Sequence, residues 1–143
     1  MVTQRYQLRV RYAETDAQGI VHHANYPVWF EEGRSEFLRA FELPYSQWEE
    51  QGLYVVVSDL QIRYLAPARY EDLLTVETTL GRFKKRLLEF NYRILRQDGL
   101  LLAQGSTRHL LMNGAGEPVS LPQPLYHRLE QALLAREPHE ETP

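Results

Sequence analysis

Cysteine is absent from this 143-residue chain. That removes a disulfide framework, a thiolate nucleophile and any zinc site built on sulfur, and it leaves the redox compartment open. Long apolar runs are missing too: none approaches the ~20 residues that a helix needs to span a bilayer. Charge of one sign is not in excess. A formal net charge of −3 offers nucleic acid no general attraction, although local basic patches remain. The opening MVTQRYQLRVRY alternates polar and apolar residues without the apolar core of a signal peptide, which leads to the expectation of a cytoplasmic protein. Repeats, linkers and low-complexity segments are also lacking. The length suits one domain that buries a core without staples, expected over residues 1–136, with a charged, proline-containing tail at 137–143 expected to fray.

What is present reads as strand, helix, then strands. Tyr6, Leu8, Val10 and Tyr12 alternate with Arg5, Gln7, Arg9 and Arg11, the period of a half-buried strand. From Tyr26 onward, Trp29, Phe30, Phe37, Leu38 and Phe41 recur at close to 3.6 residues, which predicts a helix. Asn25 is positioned to cap its first turn, and Pro27 sits where a missing N–H does no harm. Ser46 is a candidate cap for a short second helix over 47–51, ended by Gly52. Residues 53–64 are strand-like, and the continuous run Tyr54-Val55-Val56-Val57 suggests an end covered on both faces. Residues 72–80 alternate again, 81–86 read as a basic turn, and Leu88, Phe90, Tyr92 and Ile94 form one strand face. Gln97-Asp98-Gly99 signals a hairpin, and 100–112 returns as its partner. There Gly105 marks a bulge or a close backbone approach. Leu125, Leu129 and Leu133 stripe a final helix. Because strands and helices do not alternate, α+β with an antiparallel sheet is favoured over a parallel βαβ fold.

The chemistry concentrates in residues 15–40. Asp16 stands in a loop with Gly19 and His22-His23 just ahead of a helix start, where free N–H groups and the macrodipole can polarise an oxygen atom. Each residue also has a plain structural reading. Asp before a glycine is common turn chemistry. His23 can be a packed loop residue. Glu31, Glu32 and Glu36 suit a solvated helix face, and Arg82, Lys84, Lys85 and Arg86 suit a wet turn. His22-His23 with Glu14 and Asp16 invites a metal reading, but adjacent histidines on an extended backbone point oppositely, so no metal is expected. Ser106 lacks a nucleophile-elbow context.

Two blocks resemble a known family. Tyr12, Thr15-Asp16, Gly19-Ile20-Val21, His23-Ala24-Asn25-Tyr26 and Trp29-Phe30-Glu31 with Arg34 form the first. The second is Ile62-Arg63-Tyr64-Leu65-Ala66-Pro67-Ala68-Arg69-Tyr70-Glu71-Asp72. Together they resemble the hotdog-fold acyl-CoA thioesterases of the 4-hydroxybenzoyl-CoA thioesterase/YbgC-like branch, and the order of elements agrees from about residue 5 to residue 112. The resemblance implies a curved antiparallel sheet of about five strands wrapped around a long central helix. It also implies at least a homodimer, often a tetramer, with active sites at the subunit interface.

The implied reaction is hydrolysis of an acyl-CoA thioester to a carboxylate and CoA, with no metal or cofactor. Asp16 would be nucleophile or general base. The amide near His23 would polarise the carbonyl, with the His23 ring as a second contributor. Gly19, Ile20, Val21, Ala24, Asn25 and Tyr26 would shape that turn, and Ser58, Asp59 and Tyr64 would line the acyl pocket. Arg82, Lys84, Lys85 and Arg86, with Arg69, would hold the nucleotide phosphates. A different hotdog branch places its acid on the helix, which keeps Glu31 and Glu32 as outside candidates. Gln18 and His22 depart from the family pattern and leave the acyl preference open. Two alternatives stay open: a non-catalytic acyl-thioester binding module, and a thioesterase for acyl-carrier protein.

Overall fold

The computed structural model describes residues 2–134, so the tail at 137–143 lies outside the described residues. The strands are β1 (Thr3–Arg9), β2 (Tyr54–Tyr64), β3 (Leu73–Lys84), β4 (Leu87–Arg96) and β5 (Leu101–Met112). They form one sheet in the order β1-β3-β4-β5-β2, with every neighbouring pair antiparallel. The helices are α1 (Asn25–Ala40), α2 (Tyr45–Glu50) and α3 (Gln123–Leu134). The sheet curls around α1, which is the α+β hotdog arrangement that the resemblance implied.

Periodicity explains the packing. In β3 every second residue, Leu74, Val76, Thr78 and Leu80, is buried. In β4 the buried set is Leu88, Phe90, Tyr92 and Ile94. Against these α1 lays Trp29, Phe30, Phe37 and Leu38. The rings of Phe30 and Tyr92 stack at 4.2 Å, and Phe37 meets Phe90 edge-on at 5.8 Å. Two glycines let helix and sheet approach this closely. A Cβ on Gly33 would lie 2.9 Å from a Val76 methyl and strike the Thr78 hydroxyl. A Cβ on Gly105 would strike the Gln61 carbonyl and sit 2.9 Å from the Phe30 ring. Gly105 is thus a close approach and not a bulge, since its pairing with Ile62 and Tyr92 is in register.

Several sequence expectations are corrected. Tyr12 leaves the strand for a short 3-10 turn, Tyr12–Glu14, where it is 75% exposed. Asn25 does not cap α1. Ala24 occupies the cap position, and the Asn25 amide donates to the carbonyls of Glu14 and His22. Helix α2 starts at Tyr45 behind Pro44, with no side-chain cap from Ser46. The basic turn shrinks to Lys85 and Arg86, because β3 continues through a bulge to Lys84. In α3, Ala132 is buried where Leu133 was expected, and Leu133 is half-buried. Most consequentially, β2 is an edge strand. Its apolar run is not covered on both faces: Val56, Val57 and Leu60 are each more than 40% exposed.

One polar chain crosses the core. Arg34 donates to the Tyr92 hydroxyl at 3.3 Å; Tyr92 lies 2.6 Å from the Thr107 hydroxyl, which lies 2.7 Å from His109 Nε2. Arg34 can only donate, so a consistent ordering passes each proton along to Nε2 and leaves the His109 Nδ1 hydrogen without a partner among the described residues. Burial first, and the Arg34 charge second, hold the His109 imidazole down from 6.5 to about 4.

Two predictions follow from this packing. Gly105→Ala is expected to lower unfolding free energy by about 1–3 kcal/mol, the cost of overpacking, read from urea denaturation. Between pH 6.5 and 4 the unfolded chain takes up a proton that the folded His109 refuses, so the histidine's contribution to stability falls on acidification. His109→Gln removes that titration, and its melting temperature is expected to fall less steeply than wild type across the same window.

Candidate functional site

The turn that presents Asp16 is built from its own backbone. The Asp16 N–H donates to the Ile20 carbonyl at 2.9 Å, and the Gly19 N–H donates to the Asp16 carbonyl at 3.0 Å. Gly19 takes a φ of 80°, where an L side chain is strained. One carboxylate oxygen of Asp16, Oδ1, accepts from the Gln18 N–H at 2.8 Å. The other is uncommitted among the described residues. The turn is tied at its mouth by a bridge between Thr15 and Val21. Val21 also donates to the Ala68 carbonyl at 2.9 Å, which brings the β2–β3 loop alongside.

Glu14 locks this turn onto α1. Its carboxylate is buried, accepts from the Trp29 indole at 2.9 Å through Oε2, and accepts from the Arg11 N–H at 2.8 Å through Oε1. Its carbonyl accepts from the His22 N–H at 2.8 Å and from the Asn25 amide at 2.9 Å. Sequence reasoning treated Glu14 only as a possible metal ligand. The spacing to Trp29 offered no signal, because the pair meets through tertiary structure.

At the start of α1 the N–H of Ala24 is taken by His22 Nδ1 and that of Asn25 by the His22 carbonyl. The His23 N–H has no partner among the described residues. The His23 carbonyl accepts from the Tyr64 hydroxyl at 2.9 Å, which pins the turn to the end of β2. The rings of His22 and His23 stack at 4.4 Å, so they do not point oppositely as expected: the backbone there turns and is not extended. Burial raises the Tyr26 phenol above its ordinary 10, partly offset by a backbone contact from Ala68, and burial raises Tyr64 as well. Both phenols stay neutral, and Tyr64 is the donor of the two.

These groups share one cleft of about 400 Å³, lined by Asp16, Gln18, Ile20, Val21, His23 and Tyr26 on one side and Tyr64, Leu65, Ala66 and Pro67 on the other. Gly19, Ala24 and Asn25 do not line it. Gln18 and the 65–67 loop were not among the sequence's site candidates. A larger hollow, about 630 Å³, lies on the outer sheet face between Arg63, Asn91, Arg93 and Gln104, away from this turn.

Other candidates lie apart. Ser58 and Asp59 sit at the β2 bulge, bonded to each other at 3.0 Å, five to six residues before Tyr64 along the exposed edge. Arg69 is exposed on the adjoining loop, next to Ala68. Arg82 and Lys84 lie at the far end of β3, roughly 30–36 Å along the strand from Leu73 at a rise of about 3.3 Å per residue, and Lys85 and Arg86 form the turn beyond it. Of these, Arg82 lies 3.8 Å from Glu89, and Arg86 Nε donates to Ser120 at 3.3 Å. Within one protomer the basic turn and the Asp16 cleft do not meet. Glu31 and Glu32 are exposed on α1.

The chain matches the family model described as the thioesterase superfamily over residues 18–103. It is 35% identical over 130 residues to the acyl-CoA thioesterase YbgC of Haemophilus influenzae, covering 87% of this chain and 95% of that one. A crystal structure of a hypothetical protein from Thermus thermophilus aligns with a TM-score of 0.87 at 37% identity, covering 92% of this chain and 98% of that one. The DHNA-CoA thioesterase of Staphylococcus aureus aligns with a TM-score of 0.89 at 28% identity, covering 96% and 99%. With a sheet curled around α1, an acid turn at the helix start and a family match across more than half its length, this chain belongs to the thioesterase superfamily.

Proposed function

We propose that the protein hydrolyses acyl-CoA thioesters, with Asp16 as the reacting carboxylate and the His23 N–H as the donor to the carbonyl oxygen. The observation that carries this reading is the convergence of an uncommitted Asp16 oxygen and a free His23 amide on one cleft at the positive end of α1. The reaction is R-CO-S-CoA plus water giving R-COO⁻, a proton and HS-CoA. Asp16 either attacks the carbonyl carbon, so that a mixed anhydride forms and the CoA thiolate leaves before water opens the anhydride, or it takes the proton from an attacking water. In both routes negative charge grows on the carbonyl oxygen, and a fixed amide stabilises it more than the ground state. Tyr64 and Glu14 keep that amide in place. Nothing in this scheme calls for a metal or a redox cofactor.

The working form is a homo-oligomer joined along β2. An exposed edge strand of 11 residues carrying Tyr54, Val56, Val57, Leu60 and Tyr64 is a template for pairing with a second copy. Antiparallel pairing about a twofold near the strand's midpoint, Asp59, would set Tyr64 of the partner subunit opposite Tyr54. Ser58 and Asp59 would then lie at the junction. The basic turn, remote from the cleft in its own chain, would serve CoA only from another subunit, whereas Arg69 is near enough to serve its own.

Asp16→Asn is expected to lower kcat by at least about 10³-fold on a good acyl-CoA, read by thiol release, with the circular dichroism spectrum and oligomer size unchanged. Hydrolysis near the wild-type rate would remove Asp16 from the chemistry. Sedimentation of wild type at micromolar concentration is expected to give a dimer or a multiple of it. The pair Val56→Lys and Leu60→Glu is expected to give monomers; a monomeric wild type would sink the edge-pairing reading.

A further inference from the structure

His22 stands behind the cleft without lining it, and the chemistry of Asp16 gives it no part. Its backbone is tied on both sides. The N–H donates to the Glu14 carbonyl at 2.8 Å, and the carbonyl accepts from the Asn25 N–H at 3.0 Å and the Asn25 side-chain amide at 3.3 Å. The ring folds back over the same turn. Its Nδ1 accepts from the Ala24 N–H at 3.2 Å, and it stacks at 4.4 Å on the ring of His23, which does line the cleft.

These contacts select the amide that stays free. A reverse turn closed by the His22 carbonyl and the Asn25 N–H leaves the N–H groups of its middle residues, His23 and Ala24, without backbone partners. The His22 ring covers the second of them. A single donor, that of His23, then remains for a carbonyl oxygen.

The same bond fixes the proton on the ring. An imidazole nitrogen that accepts carries no hydrogen, so His22 is neutral with its hydrogen on Nε2. A proton added at Nδ1 would set donor against donor and break the bond to Ala24. The resulting cation would lie on the His23 ring at the positive end of α1, where a cation is disfavoured. The charged and titratable groups around the turn are Asp16, the Glu14–Arg11 pair, His23, Tyr26, Tyr64 at the end of β2, and Arg69 on the loop that Val21 joins. Among the described residues no carboxylate pairs with the His22 ring: both Glu14 oxygens are taken by Trp29 and Arg11, and Asp16 Oδ1 by Gln18.

We propose that His22 is a positioning residue whose neutral ring, by holding the Ala24 N–H and backing the His23 ring, fixes the first turn of α1, and that a proton on Nδ1 releases the turn and slows the enzyme. The effect on rate rests on the hydrolase reading; the clamp itself does not.

The test follows kcat/KM on an acyl-CoA over the range in which histidine changes charge, about pH 5 to 8, for wild type, His22→Asn and His22→Phe. Asn keeps an acceptor for the Ala24 N–H and cannot titrate, whereas Phe keeps a ring without an acceptor. The wild-type profile should contain a step of about three- to tenfold, the worth of one hydrogen bond, with the lower rate on the acid side. The step should vanish in both variants, with Asn near the upper level and Phe near the lower. Nitrogen NMR reads the ring separately, and should find the hydrogen of neutral His22 on Nε2. A step that persists in His22→Asn belongs to Asp16 or His23 and overturns the proposal, as does a neutral ring with its hydrogen on Nδ1. If no thioester is hydrolysed, the hydrolase reading fails by itself. Exchange of the Ala24 N–H with solvent then judges the clamp: faster exchange than in His22→Asn once His22 is protonated upholds it, and equal exchange rejects it.

Discussion

The candidate site depends first on a buried carboxylate that does not line the cleft. Glu14 is 5% exposed and satisfies both its oxygens with N–H donors, the Trp29 indole on α1 and the Arg11 backbone. Burying a charge costs several kcal/mol unless it is hydrogen-bonded, so the pairing is close to all-or-none. Its consequence is geometric. The residue two positions ahead of Asp16 is fastened to a core tryptophan one turn into the helix, and its carbonyl holds His22 and Asn25. Acid and amide therefore keep a fixed separation.

Packing sets the helix that this turn hangs from. The stack of Phe30 on Tyr92, and the missing side chains at Gly33 and Gly105, let α1 lie against β3, β4 and β5 at short range. Interiors are close-packed, so a shift of α1 by even a methyl's width would be passed to its first turn. The polar chain from Arg34 to His109 crosses the same layer. Buried from Tyr92 to His109 and bonded link to link, it restrains the inner sheet face as dispersion contacts alone would not.

The exposed face of β2 links stability to function. A strand with its apolar side chains open to solvent is a liability in a lone chain and an asset in an assembly. The Asp16 turn is tied to one end of this strand through the Tyr64 hydroxyl, which donates to the His23 carbonyl.

Local chemistry made much of this legible in the amino-acid sequence alone. Alternation marked the strands, the 3.6-residue recurrence from Trp29 marked α1, Asp98-Gly99 marked the hairpin, and the Asp16 turn ahead of a helix start marked a candidate site, because each depends on neighbours in the chain. Tertiary structure alone decided the rest. It made β2 an edge, so that an apolar run read as core stands open. It turned Asn25 from a cap into a tie, and it set the basic turn at the opposite end of β3 from Asp16. It paired Glu14 with Trp29 and left Arg34 with donors to spare. Those outcomes turn on which strands neighbour which and on how closely a helix lies on a sheet, and contacts between residues tens of positions apart leave no period in the sequence from which to read them.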